Sequence, residues 1–225
     1  VKSLLEIGSG TGILLNELKS LYPEIKMIGI EPFKAGHEKY KKIFEKIEFN
    51  ECNIINNVIE DFDTNEKFDL VFSINVLEHV DNYEKYIRKT CKLLKSNGKN
   101  IILCPNYDFP YEPHYTIPII INKKITKFLF NNYIKNYEKK NNLKYHWSSL
   151  NFISKKKLTH LLKKNNYNFS FDLKIKDRTL ERFITDKALK KRQKYISYIV
   201  VFSKYIYLDR LIFNFLRIPF PFLKL

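Results

Sequence analysis

The sequence predicts an α/β doubly wound fold, a mostly parallel sheet flanked by helices, followed by a basic, aromatic C-terminal extension. Three observations carry this reading. Short apolar, β-branched runs alternate with helix-patterned stretches through the first hundred residues, and repeated strand–helix–strand units build parallel sheets with right-handed crossovers. The first apolar run ends on a glycine cluster that opens a helix, as in folds that bind a ligand at a strand's carboxyl end. At 225 residues and 44% hydrophobic content the chain is long enough to bury a sizeable core, as one domain with an extension or two small ones.

Taken in order, Ser3–Ile7 reads as a buried strand ended by glycines. Residues 12–21 read as a helix with Ile13, Leu14, Leu18 and Leu21 at helical spacing, stopped before Pro23. Lys26–Ile30 is a second strand. Residues 33–45 read as a helix with Phe33, Tyr40 and Phe44 as core candidates, and residues 47–52 as a weaker third strand. Phe68–Ile74 is the strongest strand signal. Asp81 with Glu84 makes a capping pair for a helix running to Leu94, with Tyr83, Ile87, Cys91 and Leu94 inward. Asn97-Gly98 reads as a turn and residues 99–104 as a fifth strand. Beyond it, residues 105–118 form a loop with four prolines, and residues 119–140 read as helix. Ser154 caps a helix ending near Asn165. Phe169, Phe171, Leu173 and Ile175 alternate, which predicts a strand over residues 168–175.

Charge is unevenly placed. The net charge is +16, yet residues 1–104 carry 15 basic and 16 acidic side chains, while residues 105–225 carry 25 and 8. Lys, Asn, Ile, Phe and Tyr are abundant, as an AT-rich genome tends to produce, but such a bias acts along the whole chain and does not explain the asymmetry. An anionic partner of the second half is one consequence: nucleic acid, a membrane surface or an acidic substrate. Cys52, Cys91 and Cys104 are odd in number and lack a C-x-x-C pattern, which argues against a disulfide framework and for a reducing compartment, hence a cytoplasmic location, with membrane association left open by the tail. No signal peptide opens the chain and no 18-residue apolar run occurs, so an ordinary membrane span is not expected. The chain starts at Val1 with a strand almost at once; either the start codon is unusual or residues precede it.

The glycine loop carries the chemistry. Leu4-Leu5-Glu6-Ile7-Gly8-Ser9-Gly10-Thr11-Gly12 runs from strand to helix. Glycine suits tight turns and close backbone approach to a ligand, and the helix N-terminus offers free N–H groups. A dinucleotide fingerprint needs G-x-G-x-x-G, and a Walker A loop ends in G-K-[ST]. Here the spacing is G-x-G-x-G with Ile13 next, so a nicotinamide dehydrogenase and a P-loop enzyme both fail.

E-x-G-x-G-x-G after a first strand resembles motif I of the class I S-adenosylmethionine-dependent methyltransferases, which have a Rossmann-like fold. Phe68-Asp69-Leu70-Val71-Phe72-Ser73, then Val76-Leu77-Glu78-His79-Val80, is similar to the F-D-x-V…L-E-H-V stretch of ubiquinone-type O-methyltransferases. Leu93-Leu94-Lys95-Ser96-Asn97-Gly98-Lys99 is similar to L-L-K-P-G-G before strand five, with Ser96 and Asn97 replacing Pro and Gly. The likeness covers residues 3–104 in the right order. It implies S-adenosylmethionine as cofactor and a methyltransferase domain over residues 1–177, with an acceptor-side insertion at about 105–150 and the extension at 178–225. It implies cofactor contacts at Glu6, Gly8, Gly10, Gly12, Glu31 (ribose hydroxyls), Val58 and Ile59 (adenine), Ser73 and Asn75. Each has a plainer alternative: a strand-end acid for Glu6, a turn acid for Glu31, core packing for Val58, Ile59 and Phe62.

Transfer from a sulfonium is an in-line displacement on an already activated methyl group, so the protein aligns and shields the reactants. A hydroxyl acceptor also needs a proton acceptor. Residues 105–115 gather an amide, two acids, an imidazole and four aromatics. This makes His114 the candidate general base, and Asn106, Tyr107 and Tyr115 the substrate contacts, against the alternative of a proline-stiffened lid. His79 is a second catalytic candidate, or only a helix-orienting residue. His146-Trp147 lines an acceptor pocket or packs; His37 and His160 read as surface residues. The histidines show no metal spacing, so no metal is expected.

The expected activity is methyl transfer to a small-molecule, sugar or lipid-linked acceptor, at a hydroxyl oxygen. RNA or protein methylation, or a non-catalytic methyltransferase-like subunit, are the alternatives; no N-P-P-Y-type motif follows strand four, where Ser73-Ile74-Asn75-Val76 stands. Residues 195–215 are dense in Tyr, Ile, Val, Phe and Leu, interrupted by Lys204, Asp209 and Arg210. Three readings of this tail stand: packing on the domain or a second subunit, a peripheral membrane contact, or a bilayer span. Nucleic acid is the weaker partner, because no recognisable RNA module accompanies the charge.

Overall fold

The strand β1 (Ser3–Ile7) is buried at every residue, as expected for the middle of a parallel sheet covered on both faces. On one side it pairs in parallel with β2 (Lys26–Ile30), which pairs with β3 (Asn53–Ile55). On the other it pairs with β4 (Phe68–Ile74), which pairs with β5 (Leu94–Pro105). The order β3-β2-β1-β4-β5 therefore reverses direction at the β1/β4 boundary. That doubly wound arrangement is the expected one. The computed structural model describes residues 1–33, 41–43, 45, 53–143, 145–172, 174–192, 194–206 and 222–224. Two units form: Val1–Cys104 with Lys127–Asn151, and Pro105–Thr126 with Phe152–Leu225.

In the first unit, Leu4, Met27 and Phe72 share a sheet face, and Leu15 of α1 (Ile13–Leu21) packs on them. The helix is where the spacing puts it, but its inward residues differ. Leu15 is fully buried and Leu18 packs against the cluster, whereas Ile13, Leu14 and Leu21 are exposed. The run of three apolar residues at 13–15 leaves the phase ambiguous, and contact with the sheet residues Leu4, Met27 and Phe72 selects Leu15. Asp69, in the F-D-x-V stretch, has a structural task. Its carboxylate accepts from the Lys2 and Ser3 amides (2.7 and 2.8 Å) and pairs with Lys95 at 3.0 Å, which pins the start of β1 against β4. The Lys95 contact and then the Lys2 amide hold that carboxyl well below the usual carboxylate range.

Several expected elements are corrected. Asn82, not Asp81, caps α2 (Tyr83–Lys92), accepting from the Lys85 amide at 2.9 Å. Its buried residues are Tyr86, Ile87 and Thr90; Tyr83 and Cys91 are half-buried, and Leu94 already belongs to β5. Asn97-Gly98 is not a free turn. It sits in an irregularity of β5, where Leu94 pairs with Phe68 and Lys99 with Leu70. A side chain at Gly98 would meet the Phe68 carbonyl at 2.7 Å, so the strand tolerates only glycine there. The expected strand at 47–52 and most of the helix at 33–45, with Tyr40 and Phe44, lie outside the described residues, as does His37. Phe33 itself is buried with φ 45°, which is not helical. The helical stretch at 119–140 is two helices, α3 (Lys123–Leu129) and α4 (Asn131–Asn141); α5 (His146–Ser149) follows.

In the second unit, residues 105–118 are not all loop. β6 (Tyr111–Glu112) and β7 (Ile117–Pro118) pair as a short antiparallel hairpin. Helix α6 (Lys155–Lys164) has three consecutive first-turn amides satisfied by side chains. Asn106 Oδ1 takes Lys155, Asp108 Oδ2 takes Lys156, and Ser154 Oγ takes Lys157, at 3.1, 3.0 and 3.2 Å. Four orphan amides at a helix start need such partners. The predicted strand at 168–175 does not form. Asp172 Oδ1 accepts from the Lys174 amide at 2.9 Å and α7 (Lys174–Thr185) starts there, taking Ile175 into a helix. Helices α8 (Lys187–Arg192) and α9 (Lys194–Tyr205) continue the unit, and β8 (Phe222–Lys224) closes the described chain.

The phase of α1 is testable by core truncation. Leu15→Ala should cost about 3 kcal/mol in urea unfolding with an unchanged slope, and Leu14→Ala less than about 1 kcal/mol.

Candidate active site

In open α/β sheets ligands bind beyond the carboxyl ends of the strands, where the strand order reverses. Here that point lies between the ends of β1 and β4. Gly8, Gly10 and Gly12 follow β1 with φ of 71°, 57° and 75°, all in the left-handed region that favours glycine. The loop folds over the end of β2, where the Ile30 carbonyl accepts from the Gly8 and Ser9 amides at 2.8 and 3.1 Å. A side chain on Gly8 would collide with Val76, just past β4, so the two strand ends close against each other only at a glycine. A side chain on Gly10 would meet nothing, so the backbone there is open to a ligand's approach. Gly29 makes room below the loop, its missing side chain giving place to Ser9.

Two buried carboxylates flank this loop. Glu31, at the end of β2, accepts from the Gly10 amide through Oε2 at 2.9 Å. Glu6, on β1, is 4% exposed, and its Oε2 has no hydrogen-bond partner among the described residues. Burial first, and the Glu31 charge second, push the Glu6 carboxyl up to about 7. A pair of acids held apart from water beside an open glycine backbone suits a ligand bearing positive charge and hydroxyl donors. The residues thus fit S-adenosylmethionine, with its sulfonium, ammonium and ribose.

The other expected cofactor contacts fall in the same unit. Val58 is half-buried and Ile59 buried, on a turn after β3 closed by hydrogen bonds from the Phe62 amide to both carbonyls. Phe62 is core. Ser73 is buried near the end of β4. Asn75 is exposed just beyond it, with φ 55° and its amide on the Leu103 carbonyl at 2.8 Å. His79 closes a 3-10 turn (Leu77–His79). Its Nδ1 lies 2.9 Å from Ser149 Oγ, which donates to the His146 carbonyl at 2.8 Å, an arrangement that suits a proton on Nδ1. The His146 ring packs on His79 with centroids 4.8 Å apart, and Trp147 is buried. Asn151 clamps the turn, donating through its side chain to the Leu77 and Val80 carbonyls and through its amide to that of Glu78. The sequence reading missed Asn151; nothing local marks it.

The expected acceptor-side residues lie in the second unit, organised by a residue not singled out from sequence. Glu112 is completely buried. One oxygen faces His114 Nδ1 at 2.6 Å and accepts from the Tyr107 hydroxyl at 3.2 Å, while the other accepts from the Tyr115 amide at 2.6 Å. The carboxylate thereby orients the imidazole and leaves Nε2 as its second nitrogen. Tyr107 stacks on Phe152 at 4.3 Å. Tyr115 is fully buried, part of this unit's interior. Asn106 is buried, with its oxygen engaged by the Asp108 and Lys155 amides. Of these two expected substrate contacts, Tyr115 is packed in the unit's interior and Asn106 caps α6. His160 is exposed on α6.

An acid two residues before a G-x-G-x-G loop, on the central strand of a sheet that reverses at that strand, separates this site from dinucleotide and P-loop sites. It places the chain among the class I S-adenosylmethionine-dependent methyltransferases. The chain belongs to the family described as methyltransferase domain, whose model matches residues 1–169. An uncharacterised protein of Mycobacterium tuberculosis (strain ATCC 25618 / H37Rv) is 31% identical over 195 residues, covering 85% of this chain and 66% of that protein. The mitochondrial ubiquinone biosynthesis O-methyltransferase of Dictyostelium discoideum is 29% identical over 117 residues, covering 48% of this chain and 36% of that enzyme. The chain thus spans about two thirds of the first relative and about a third of the second. The solved plantazolicin methyltransferase BpumL in complex with SAH is 17% identical with a TM-score of 0.49, over 72% of this chain and 55% of that one. S-adenosylmethionine is the methyl donor of this class.

Glu6 gives a signed test. Because its folded pKa stands above its unfolded value, its stabilisation is full below pH 4.5 and is lost as pH rises through about 7. The ligand-free protein should lose about 3 kcal/mol from this group across that window. Urea titrations at pH 5 and pH 8 should show the loss, and Glu6→Gln should flatten it.

Proposed function

We propose that the chain transfers a methyl group from S-adenosylmethionine to a hydroxyl oxygen of a small-molecule, sugar or lipid-linked acceptor, with His114 as general base. The buried Glu112–His114 pair carries this reading. A carboxylate 2.6 Å from Nδ1 fixes the tautomer and supports the imidazolium that proton uptake at Nε2 creates. S-adenosylmethionine supplies a methyl group on positively charged sulfur, which leaves as a neutral thioether.

His114 Nε2 takes the acceptor's hydroxyl proton while the oxygen forms its bond to the methyl carbon and the carbon–sulfur bond breaks. The positive charge thus leaves the reacting centre as a proton on His114. Glu112 holds the imidazole, and the Tyr107 hydroxyl, donating to the same oxygen, holds Glu112. Glu31 and the loop glycines hold the donor end, and Glu6 supplies negative charge towards it. His79 is the second imidazole, but its orienting partner is a neutral hydroxyl, a weaker support for an imidazolium. The named O-methyltransferase relative supports oxygen as the methylated atom.

The test uses isotope-labelled donor with small-molecule and lipid extracts, reading labelled product by mass spectrometry and donor binding by calorimetry. His114→Ala should lower turnover by about 10²- to 10⁴-fold and Glu112→Gln by a smaller factor, with donor affinity unchanged. Near-normal turnover in His114→Ala, or a larger loss in His79→Ala, would move the base elsewhere. Absence of donor binding in the parent chain would overturn the reading altogether.

A further inference from the structure

Helix α9 is built inside out for a helix surrounded by water. Tyr198, Val201, Phe202 and Tyr205, with Ile206 on the following turn, are 65, 43, 62, 84 and 46% exposed. Their spacing of three and four residues puts them on one face. The opposite face carries Ser197 and Ser203, which are buried, and α9 lies against α7 and α8. Small serines let helices approach closely, while the large apolar side chains point outward. Single exposed apolar residues are ordinary, but a continuous stripe of five marks a surface that meets something apolar.

We propose that α9 lies in the interface of an anionic lipid bilayer, its Tyr198–Ile206 stripe among the acyl chains and the surrounding lysines at the headgroups. Charge selects this occupant. Residues 174–206 carry ten Lys and Arg against three Asp and Glu. Lys187, Lys191 and Lys194 are exposed, and Lys194 stands one turn before Tyr198 on the stripe's own face. A second copy would bring that positive charge against itself. Nucleic acid would use the aromatic rings by stacking but gains nothing from Val201 and Ile206, which an acyl environment rewards. The helix lies along the surface rather than through it. Its 12 residues reach about 18 Å against a hydrocarbon core of about 30 Å, and no helix among the described residues is long and apolar enough to cross a membrane. Tyrosines on the stripe suit the interfacial depth. A bilayer contact of this kind is independent of which acceptor receives the methyl group.

Co-sedimentation of the full chain with phosphatidylcholine vesicles, with and without phosphatidylglycerol, tests the proposal. Binding should need the anionic lipid and weaken with salt. Phe202→Glu with Tyr205→Glu, and separately Lys191→Glu with Lys194→Glu, should each lower it at least about tenfold while circular dichroism stays unchanged. Phe202→Trp should keep binding and show a blue-shifted emission on anionic vesicles. The proposal fails if vesicles containing phosphatidylglycerol leave the chain in the supernatant, or if Phe202→Trp binds them without a blue shift. It fails too if light scattering finds a dimer that Phe202→Glu dissolves, or if single-stranded RNA binds where anionic vesicles do not.

Discussion

A parallel sheet whose strand order reverses leaves a gap at the carboxyl ends of the two strands that straddle the reversal, and the first unit is organised around that gap. β1 and β4 must come close enough to pair, yet their following loops must turn to opposite faces. Gly8 resolves the conflict where a side chain would strike Val76. The left-handed Gly12 then starts α1 with no side-chain cap, so the N–H groups at this helix end remain directed at the place where a ligand's polar groups arrive. Asp69 does the converse job at the other end of the strands, fastening the first residues of β1 to β4. One end of the sheet is thus locked by a satisfied carboxylate and the other left open by glycines.

The same contrast separates two buried acids, Glu112 and Glu6. Glu112 is surrounded by donors, three of which meet its two oxygens, so its negative charge is compensated and serves to orient His114. Glu6 is buried against Glu31 with one oxygen lacking a donor, so the folded protein holds it near neutrality in titration. A buried unpaired acid is a standing cost to folding. A bound cation near its open oxygen would offset that cost. One carboxylate is a finished structural part and the other an unfinished one, and the difference lies in their hydrogen-bond partners rather than in their depth.

Legibility from sequence follows the range of the interaction concerned. The glycine loop, Glu6 and Glu31 were readable because a strand, a turn and a helix start impose local residue requirements at fixed spacing. The phase of α1 was not, since three apolar residues in a row satisfy two phases and only contact with Leu4, Met27 and Phe72 chooses between them. The alternation Phe169, Phe171, Leu173, Ile175 mimics a strand. Phe169 and Phe171 do share a side, their rings meeting edge-on at 5.8 Å, but the Asp172 cap starts a helix before any neighbouring strand is found. Asn106 and Glu112 show the limit for the site. Both sit in a segment rich in functional residue types, and nothing in residue type separates the one that caps a helix from the one that holds the His114 imidazole. Asn151, holding the turn that carries His79 from some seventy residues away, has no local signal at all.

Under the proposed bilayer contact, the charge asymmetry would have a physical reason in the arrangement of α9. Basic side chains scattered on helices of a water-facing unit add solubility and nothing more, and the ten Lys and Arg of residues 174–206 would then be an excess without consequence. An outward stripe of tyrosine, phenylalanine, valine and isoleucine changes the balance, because apolar burial and surface charge act together only at a boundary where acyl chains and anionic headgroups lie within a few ångströms of each other. Neither component suffices: the stripe alone invites any apolar partner, and the lysines alone any polyanion. On α9 the stripe and Lys194 share one face, with serines turned inward to let the helix pack, and most of the remaining basic side chains lie on the two helices before it, which is the combination the proposed bilayer contact requires.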